Sequence, residues 1–343
     1  MTGTMRVAVY YNNRDVRVEE RSIPTIGPHE LLVKVHASGI CGSDVLEWYR
    51  VPKAPLVLGH EIAAEIVQVG GDVQGHASGE RVFVSHHVPC LDCPSCRSGH
   101  ETVCQTLRTT NFDPGGFAEF VRVPEINVRH GVFRMPDNLS WEDGVFIEPL
   151  ACVVRGQRAA DVRPGQSVLV IGSGMAGLLH IRLARATGAS NVFATDVLEN
   201  RRNAAKTSGA DEAFRADEDI AAKLKERNGG RLADTVVVST GALAAIEQSF
   251  ALVEAGGTIL FFAPTESDRR IPLPFNRLWR DEVKLTSTYG AAPRDIRESI
   301  RLLHEGRVKV GDLVSHRLPL TDAGEGFRLV ADGRESLKVV LIP

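Results

Sequence analysis

The chain has 343 residues, 43% of them hydrophobic and 24% charged, with a formal net charge of −3. At roughly 150 residues per domain, this length gives about two domains with cores of their own, and the composition excludes a disordered, collagen-like or disulfide-scaffold chain. The small net charge supplies no global field toward nucleic acid or anionic lipid, and no apolar run approaches the roughly 20 residues needed to cross a bilayer, so neither nucleic acid nor a membrane is expected as a partner. The first residues run directly into strand-like Val7–Tyr10 without the apolar core of a secretory signal, which predicts a cytoplasmic protein.

In chain order, the first 150 residues carry short β-type runs at Val7–Tyr10, Glu30–His36, Glu61–Val69, Arg81–Ser85 and Ala118–Val123. Gly27-Pro28, Gly70-Gly71 and Gly115-Gly116 punctuate them, a pattern that predicts an antiparallel, barrel-like β domain. Beyond Pro164-Gly165 the pattern changes to a strand at Ser167–Ile171, a glycine turn and a helix from Met175 to Thr187 that Gly188 is placed to stop. Strands at Asn191–Thr195, Thr235–Ser239 and Thr258–Phe262 alternate with helical stretches. Such alternation predicts a doubly wound α/β domain around a parallel sheet. A helix near Arg294–His304 and a last strand at Lys338–Ile342 return to mixed character. The expected plan is one domain of residues 1–150 and 290–343, interrupted by a second of residues 151–289.

Gly172-Ser173-Gly174-Met175-Ala176-Gly177 is a G-x-G-x-x-G that follows a strand and opens a helix, the context a dinucleotide site requires. Gly172 allows the tight turn, Gly174 lets a pyrophosphate approach the backbone and Gly177 lets helix and strand pack closely. Met175 and Ala176 begin the helix whose free N–H groups face the phosphates. Asp196 closes the next strand about 20 residues on, where an acid binds a ribose 2′-OH and repels a 2′-phosphate, so NAD is favoured over NADP. Arg201 and Arg202 lie near enough to soften that preference. The plainer alternative makes Asp196 a helix cap and the arginines a solvated helix face.

Four of the six cysteines, Cys90, Cys93, Cys96 and Cys104, fall within fifteen residues. In a reducing compartment this spacing points to a closed tetrahedral zinc that holds a loop. A nucleic-acid-binding zinc ribbon is disfavoured, because Arg97 is the one Lys or Arg within that span. A second candidate set is dispersed: Cys41, His60 with Glu61, and Glu148 offer a thiolate, an imidazole and carboxylates, leaving a position open for water or a substrate oxygen. Taken singly, each of these residues is more often structural.

Together, the Cys41 stretch, the Gly59-His60-Glu61 box, the four-cysteine lobe, Glu148-Pro149-Leu150 and the glycine loop resemble, in order, the zinc-containing medium-chain dehydrogenases. The acid at Glu148 is similar to the polyol branch of sorbitol, xylitol and threonine dehydrogenases. The resemblance implies a GroES-like catalytic domain joined to a Rossmann domain. It also implies two zincs per chain, one structural and one catalytic, with the catalytic ion on Cys41, His60 and either Glu61 or Glu148. Ser43 matches the hydroxyl that passes the substrate proton outward, and Asp44 the acid that orients the zinc-bound histidine, although a helix cap explains Asp44 equally well. Many relatives carry a histidine five residues after the zinc cysteine; here that residue is Leu46, so the relay must end elsewhere, with His36, His86 and His87 as available imidazoles. Trp48, Tyr49 and Phe112 are expected to line the pocket.

The resulting expectation is an NAD-dependent zinc enzyme oxidising a secondary alcohol of a polyol, sugar or cyclitol-like substrate in a cleft between the domains, as a homotetramer or homodimer. A threonine-type amino-alcohol dehydrogenase is the alternative of the same fold. A non-catalytic module binding NAD and zinc is the alternative from another class.

Overall fold

A computed structural model describes residues 3–343. The chain divides into two compact units, one ending at Ala151 and resuming at Ala291, the other spanning Cys152–Gly290. The first begins with strands β1 (Thr4–Asn12), β2 (Asp15–Ser22), β3 (Leu31–Gly39), β4 (Leu56–Val57), β5 (Glu61–Val69), β6 (Arg81–Val84), β7 (Phe120–Val123) and β8 (Val132–Arg134). The second contains β9 (Ser167–Ile171), β10 (Asn191–Asp196), β11 (Glu212–Arg215), β12 (Ala233–Val238), β13 (Val253–Phe261) and β14 (Lys284–Ser287). The chain then returns to the first unit with β15 (Val314–Pro319) and β16 (Lys338–Ile342).

In the first unit, β2-β1-β4 form one sheet and β15-β16-β3-β5-β6-β8 another, with β7 added to β3. Alternating apolar residues from both sheets close over Tyr10, Phe117 and Phe327. Strands β15 and β16, beyond the stretch read as antiparallel from the sequence, pair in parallel. The helix Ala323–Asp332 lies between them in sequence, and parallel neighbours need such a crossover. Antiparallel β16 meets β3 with Val340 opposite Gly39, while β5 meets the other side of β3 with Glu61 opposite Gly39. Three strands therefore converge on one glycine.

The second unit is a six-stranded parallel sheet in the order β11-β10-β9-β12-β13-β14. Strand β9 reads Ser-Val-Leu-Val-Ile and every residue is buried, as expected for a central parallel strand covered on both faces. The helix Met175–Ala186 leaves the glycine turn directly after it. His180 on this helix is fully buried, edge-on to Phe262 with ring centroids 4.5 Å apart, and Gln157 Nε2 donates to its carbonyl at 2.7 Å.

Burial holds the His180 imidazole down at about 3, whereas in the unfolded chain it titrates near 6.5. With its folded value depressed, this group leaves stability intact above about pH 6.5 and lowers it as pH falls toward 3, by about 1.4 kcal/mol per pH unit. In urea unfolding, the wild type should lose about 2 kcal/mol more than His180→Leu between pH 7.5 and 5. Equal losses in the two proteins would remove His180 from the account.

Candidate metal centre and dinucleotide loop

The first candidate centre is built where β3 ends. Cys41 caps the short helical turn Gly42–Val45: its sulfur accepts from the Ser43 N–H at 3.4 Å, and Asp44 Oδ2 accepts from the Cys41 N–H at 3.1 Å. Asp44 is fully buried, and its other oxygen, Oδ1, lies 3.4 Å from His60 Nδ1 and accepts from Arg50 at 3.2 Å. One carboxylate thus serves as both cap and histidine partner, which reconciles the two sequence readings of Asp44. Burial pushes its carboxyl upward, but His60, Arg50 and the Cys41 N–H outweigh that and hold it below the usual carboxylate range. Fixing a ligand imidazole through its far nitrogen is how metal sites set ring orientation.

His60 precedes β5 and Glu61 opens it. Ligand atoms of Cys41, His60 and Glu61 all lie within 4.8 Å of one another. Glu61 is 1% exposed; its Oε2 accepts from the ammonium of Lys338, while Oε1 is buried with no hydrogen-bond partner among the described residues. An unpaired buried carboxylate oxygen is costly, and a cation shared with the Cys41 thiolate and the His60 imidazole would satisfy it. The donor set therefore fits zinc. Glu148, nearly buried in the first turn of the helix Ile147–Ala159, acts electrostatically on Lys338 but falls outside this group of three.

The register that joins three strands at Gly39 brings Lys338 to Glu61. A Cβ on Gly39 would stand 2.2 Å from Glu61 Oε2 and 3.3 Å from Lys338 Nζ, so a side chain there would displace the pair. Lys338 Nζ also reaches the Ile40 carbonyl at 3.4 Å. Burial lowers its pKa, but the charges of Glu61 and Cys41 outweigh burial and raise it above the ordinary lysine value.

In the four-cysteine lobe, Sγ–Sγ distances are 3.6 Å for Cys93–Cys96 and for Cys104–Cys90, and 4.0 Å for Cys90–Cys96. A tetrahedron of sulfurs about 2.3 Å from a zinc has edges of about 3.8 Å. The lobe therefore has the size of a closed zinc site. Arg294, on the helix Pro293–His304, ties it down by donating to the Gly99 carbonyl and Glu101.

In the second unit the glycine loop turns at Gly172 with φ of +91°, and a Cβ on Gly177 would strike the Gly172 carbonyl at 2.0 Å. Asp196 Oδ2 accepts from the Ser173 N–H at 2.8 Å and Oδ1 from the Leu198 N–H at 2.9 Å. The acid anchors the loop to the strand end while each oxygen retains a lone pair. A guanidinium nitrogen of Arg201 lies 2.7 Å from where a Cβ on Gly174 would stand, so that cation overhangs the loop. Arg202 instead donates to the Asp196 and Val197 carbonyls.

Residues 27–137 match the alcohol dehydrogenase GroES-like domain, and residues 176–305 match the zinc-binding dehydrogenase domain. The chain is 34% identical over 333 residues to Probable D-xylulose reductase A of Neosartorya fischeri, covering 93% of this chain and 91% of the relative. It is 31% identical to L-galactonate-5-dehydrogenase of Escherichia coli, covering 99% of each. The chain belongs to the zinc-binding dehydrogenase family. Among solved structures, it resembles a zinc-binding dehydrogenase of Sinorhizobium meliloti bound to NADP, with a TM-score of 0.89 and 27% identity over 99% of this chain and 100% of the other. The GroES-like and Rossmann-type architecture follows from these matches, as does its place among the polyol and sugar-acid dehydrogenases.

Several family-based expectations change in detail. Phe112 is 2% exposed and packs in the β core, with its ring edge-on to His86, centroids 6.3 Å apart. His36 stacks on Trp141 at 4.2 Å and pairs with Glu65. His86 lies 4.9 Å from the His60 ring, and His87 lies 3.9 Å from His86. Burial, then nearby cations, push both imidazoles down, His87 to about 4. Sequence reasoning missed Lys338 and Arg50. A cation heading the otherwise apolar strand Lys338–Ile342 was the available signal for the first; Arg50 carried none.

Removing one member of a buried ion pair strands the other, at about 3–5 kcal/mol. With the Cys41–His60–Glu61 site stripped of metal, Lys338→Met should therefore destabilise the protein to urea by about that amount, and adding Glu61→Gln should recover most of the loss. A Lys338→Met protein as stable as wild type would show that the pair is not buried in solution.

Proposed function

We propose that the chain oxidises a secondary alcohol of a polyol or sugar-like substrate with NAD, using a zinc held by Cys41, His60 and Glu61 with Glu148 beside it. The observation that carries this reading is the buried, unpartnered Glu61 Oε1 within ligand distance of a thiolate and an imidazole. A zinc there would act as a Lewis acid that lowers the pKa of a bound hydroxyl. The chain's own residues do the remainder: Asp44 orients His60, Lys338 holds Glu61, and Ser43 places a hydroxyl 3.4 Å from the Cys41 sulfur. The four cysteines hold the second zinc, which keeps the lobe folded.

A relative solved with NADP makes the cofactor a property of each chain's own loop. Asp196 at the end of β10 favours NAD, because its carboxylate would repel a 2′-phosphate, while Arg201 serves the phosphate side. Five of the six cysteines have metal roles in this reading and none is in a disulfide, which suits a reducing cytoplasm. Among the described residues, no helix is long and apolar enough to cross a membrane.

We also infer a homodimer or a homotetramer made of such dimers. Strand β14 is the edge of its sheet and is largely exposed, as are Phe275, Trp279 and Tyr289 near it in sequence. Open edges and apolar surface of this kind fit a second copy related by a two-fold axis.

The test is a panel of polyols, aldonates, cyclitols and amino alcohols offered with NAD or NADP and followed by reduced-nicotinamide absorbance. Turnover with a polyol or sugar-like alcohol, faster with NAD, is expected, together with its loss in Cys41→Ser while one zinc remains bound. Turnover confined to amino alcohols would transfer the reading to the threonine type. Full activity in Cys41→Ser would remove the zinc assignment.

A further inference from the structure

Two cations share one aromatic ring beside the metal centre. The short helix Glu47–Arg50 runs into the helical turn Val51–Lys53, where Pro52 fixes the backbone. The Arg50 guanidinium lies 4.7 Å and the Lys53 ammonium 3.5 Å from the centroid of the Tyr49 ring. Short contacts lead from that ring to the centre. Arg50 donates to the Ser43 hydroxyl at 3.3 Å and to Asp44 Oδ1 at 3.2 Å. Ser43 Oγ lies 3.4 Å from the Cys41 sulfur, and Asp44 Oδ1 lies 3.4 Å from His60 Nδ1. Burial, then His60, Arg50 and Lys53, push the His87 imidazole down to about 4, so the Lys53 charge is felt across the site.

The two carboxylates on the stretch from Cys41 to Lys53 are both engaged. Asp44 serves His60, Arg50 and the Cys41 N–H, and Glu47 accepts from the Asn13 N–H at 3.0 Å. Arg50 thus has its anion. Lys53 is exposed, and among the described residues no carboxylate pairs with it. Two like charges on one ring repel, and only one of them is compensated. A neutral polyol offers such an ammonium no counter-charge, whereas a carboxylate offers charge-assisted hydrogen bonds about twice as strong as neutral ones. We propose that the substrate is a sugar acid, a polyhydroxy carboxylate of the aldonate type, and that Lys53 determines this specificity by binding its carboxylate. The inference rests on the dehydrogenase reading above and narrows its substrate. A free carboxylate is itself a metal ligand. Anchored at Lys53, it is kept from Cys41 and His60, and a carbinol further along the chain takes the reacting position. In the oxidation, the carbinol C–H bond breaks and its electron pair reduces NAD. The hydroxyl proton is released, the C=O bond forms, and the carboxylate is unchanged.

The test offers the zinc-loaded enzyme the D- and L-aldonates of xylose, glucose, galactose and idose, each beside the alditol of the same configuration, with NAD as oxidant. Wild type is compared with Lys53→Met, Lys53→Arg and Lys53→Glu. In wild type the best aldonate should exceed its alditol in kcat/KM by about tenfold to a hundredfold, the range of one hydrogen bond to a charged group. Lys53→Met should lower kcat/KM for that aldonate by about tenfold more than for its alditol. The loss should fall on KM, because the carboxylate is bound alike in the ground and transition states. Lys53→Arg should restore most of it, and Lys53→Glu should reverse the preference. A residue that only supports its loop would move both members of a pair alike. Calorimetry with NADH present, where no alcohol can be oxidised, gives a second readout: the tightest-binding aldonate should bind wild type about tenfold more tightly than Lys53→Met. An alditol preferred by wild type, or equal losses for both members of the pair in Lys53→Met, overturns the proposal and leaves the dehydrogenase reading standing. If no compound is oxidised, that reading fails and calorimetry decides. Aldonate binding that weakens in Lys53→Met then supports the carboxylate site, and binding that is absent or equal in both proteins overturns it.

Discussion

A buried ion pair above a glycine sets the geometry of the metal-binding unit. Gly39 is flanked by Glu61 on β5 and Val340 on β16, and the space its missing side chain leaves holds the Glu61 carboxylate and the Lys338 ammonium. The partners are 277 positions apart and almost wholly buried. Leaving either charge alone there is expensive, so the last strand must be in register for both charges to be paired. Because Lys338 takes one carboxylate oxygen, the other is left without a partner among the described residues, facing the proposed metal centre. The same contact that joins the C-terminal strand to the barrel therefore orients the carboxylate that would ligate a metal there.

Around that contact, single residues hold two tasks at once. Asp44 caps the turn that carries Cys41 and also meets His60. Asp196 ties the glycine loop to the end of β10 and stands where a ribose would be recognised. In both cases the capping contact leaves room for the proposed functional role, because a carboxylate has two oxygens. Such sharing places the functional atoms with the precision of the backbone hydrogen bonds themselves.

Much of this was legible from residue order. The strands Glu61–Val69, Ser167–Ile171 and Lys338–Ile342 stood out because long apolar or alternating runs end at clear breakers. Strands β2 and β14 did not: Asp-Val-Arg-Val-Glu-Glu-Arg-Ser and Lys-Leu-Thr-Ser lie at sheet edges, half-exposed and polar, where no periodic burial marks them. The parallel pairing of β15 with β16 has no local signature, since direction is decided by the crossover helix. The four-cysteine lobe needed only its spacing. The dispersed set of Cys41, His60 and Glu61 needed the family resemblance, because residues 20 apart in sequence converge only through β3–β5 register. Lys338 and Arg50 escaped for the same reason: their partners are fixed by strand pairing and by a one-turn helix, which sequence periodicity does not encode.

The central claim is that this chain carries a metal centre at Cys41, His60 and Glu61 that is separate from the four-cysteine lobe. Anomalous scattering from crystals of the purified protein, collected on both sides of the zinc absorption edge, tests it most directly. Two zinc peaks per chain are expected, one among Cys90, Cys93, Cys96 and Cys104 and one within bonding distance of Cys41, His60 and a glutamate oxygen. A single peak at the four cysteines, with Glu61 Oε1 facing no ion, would contradict it.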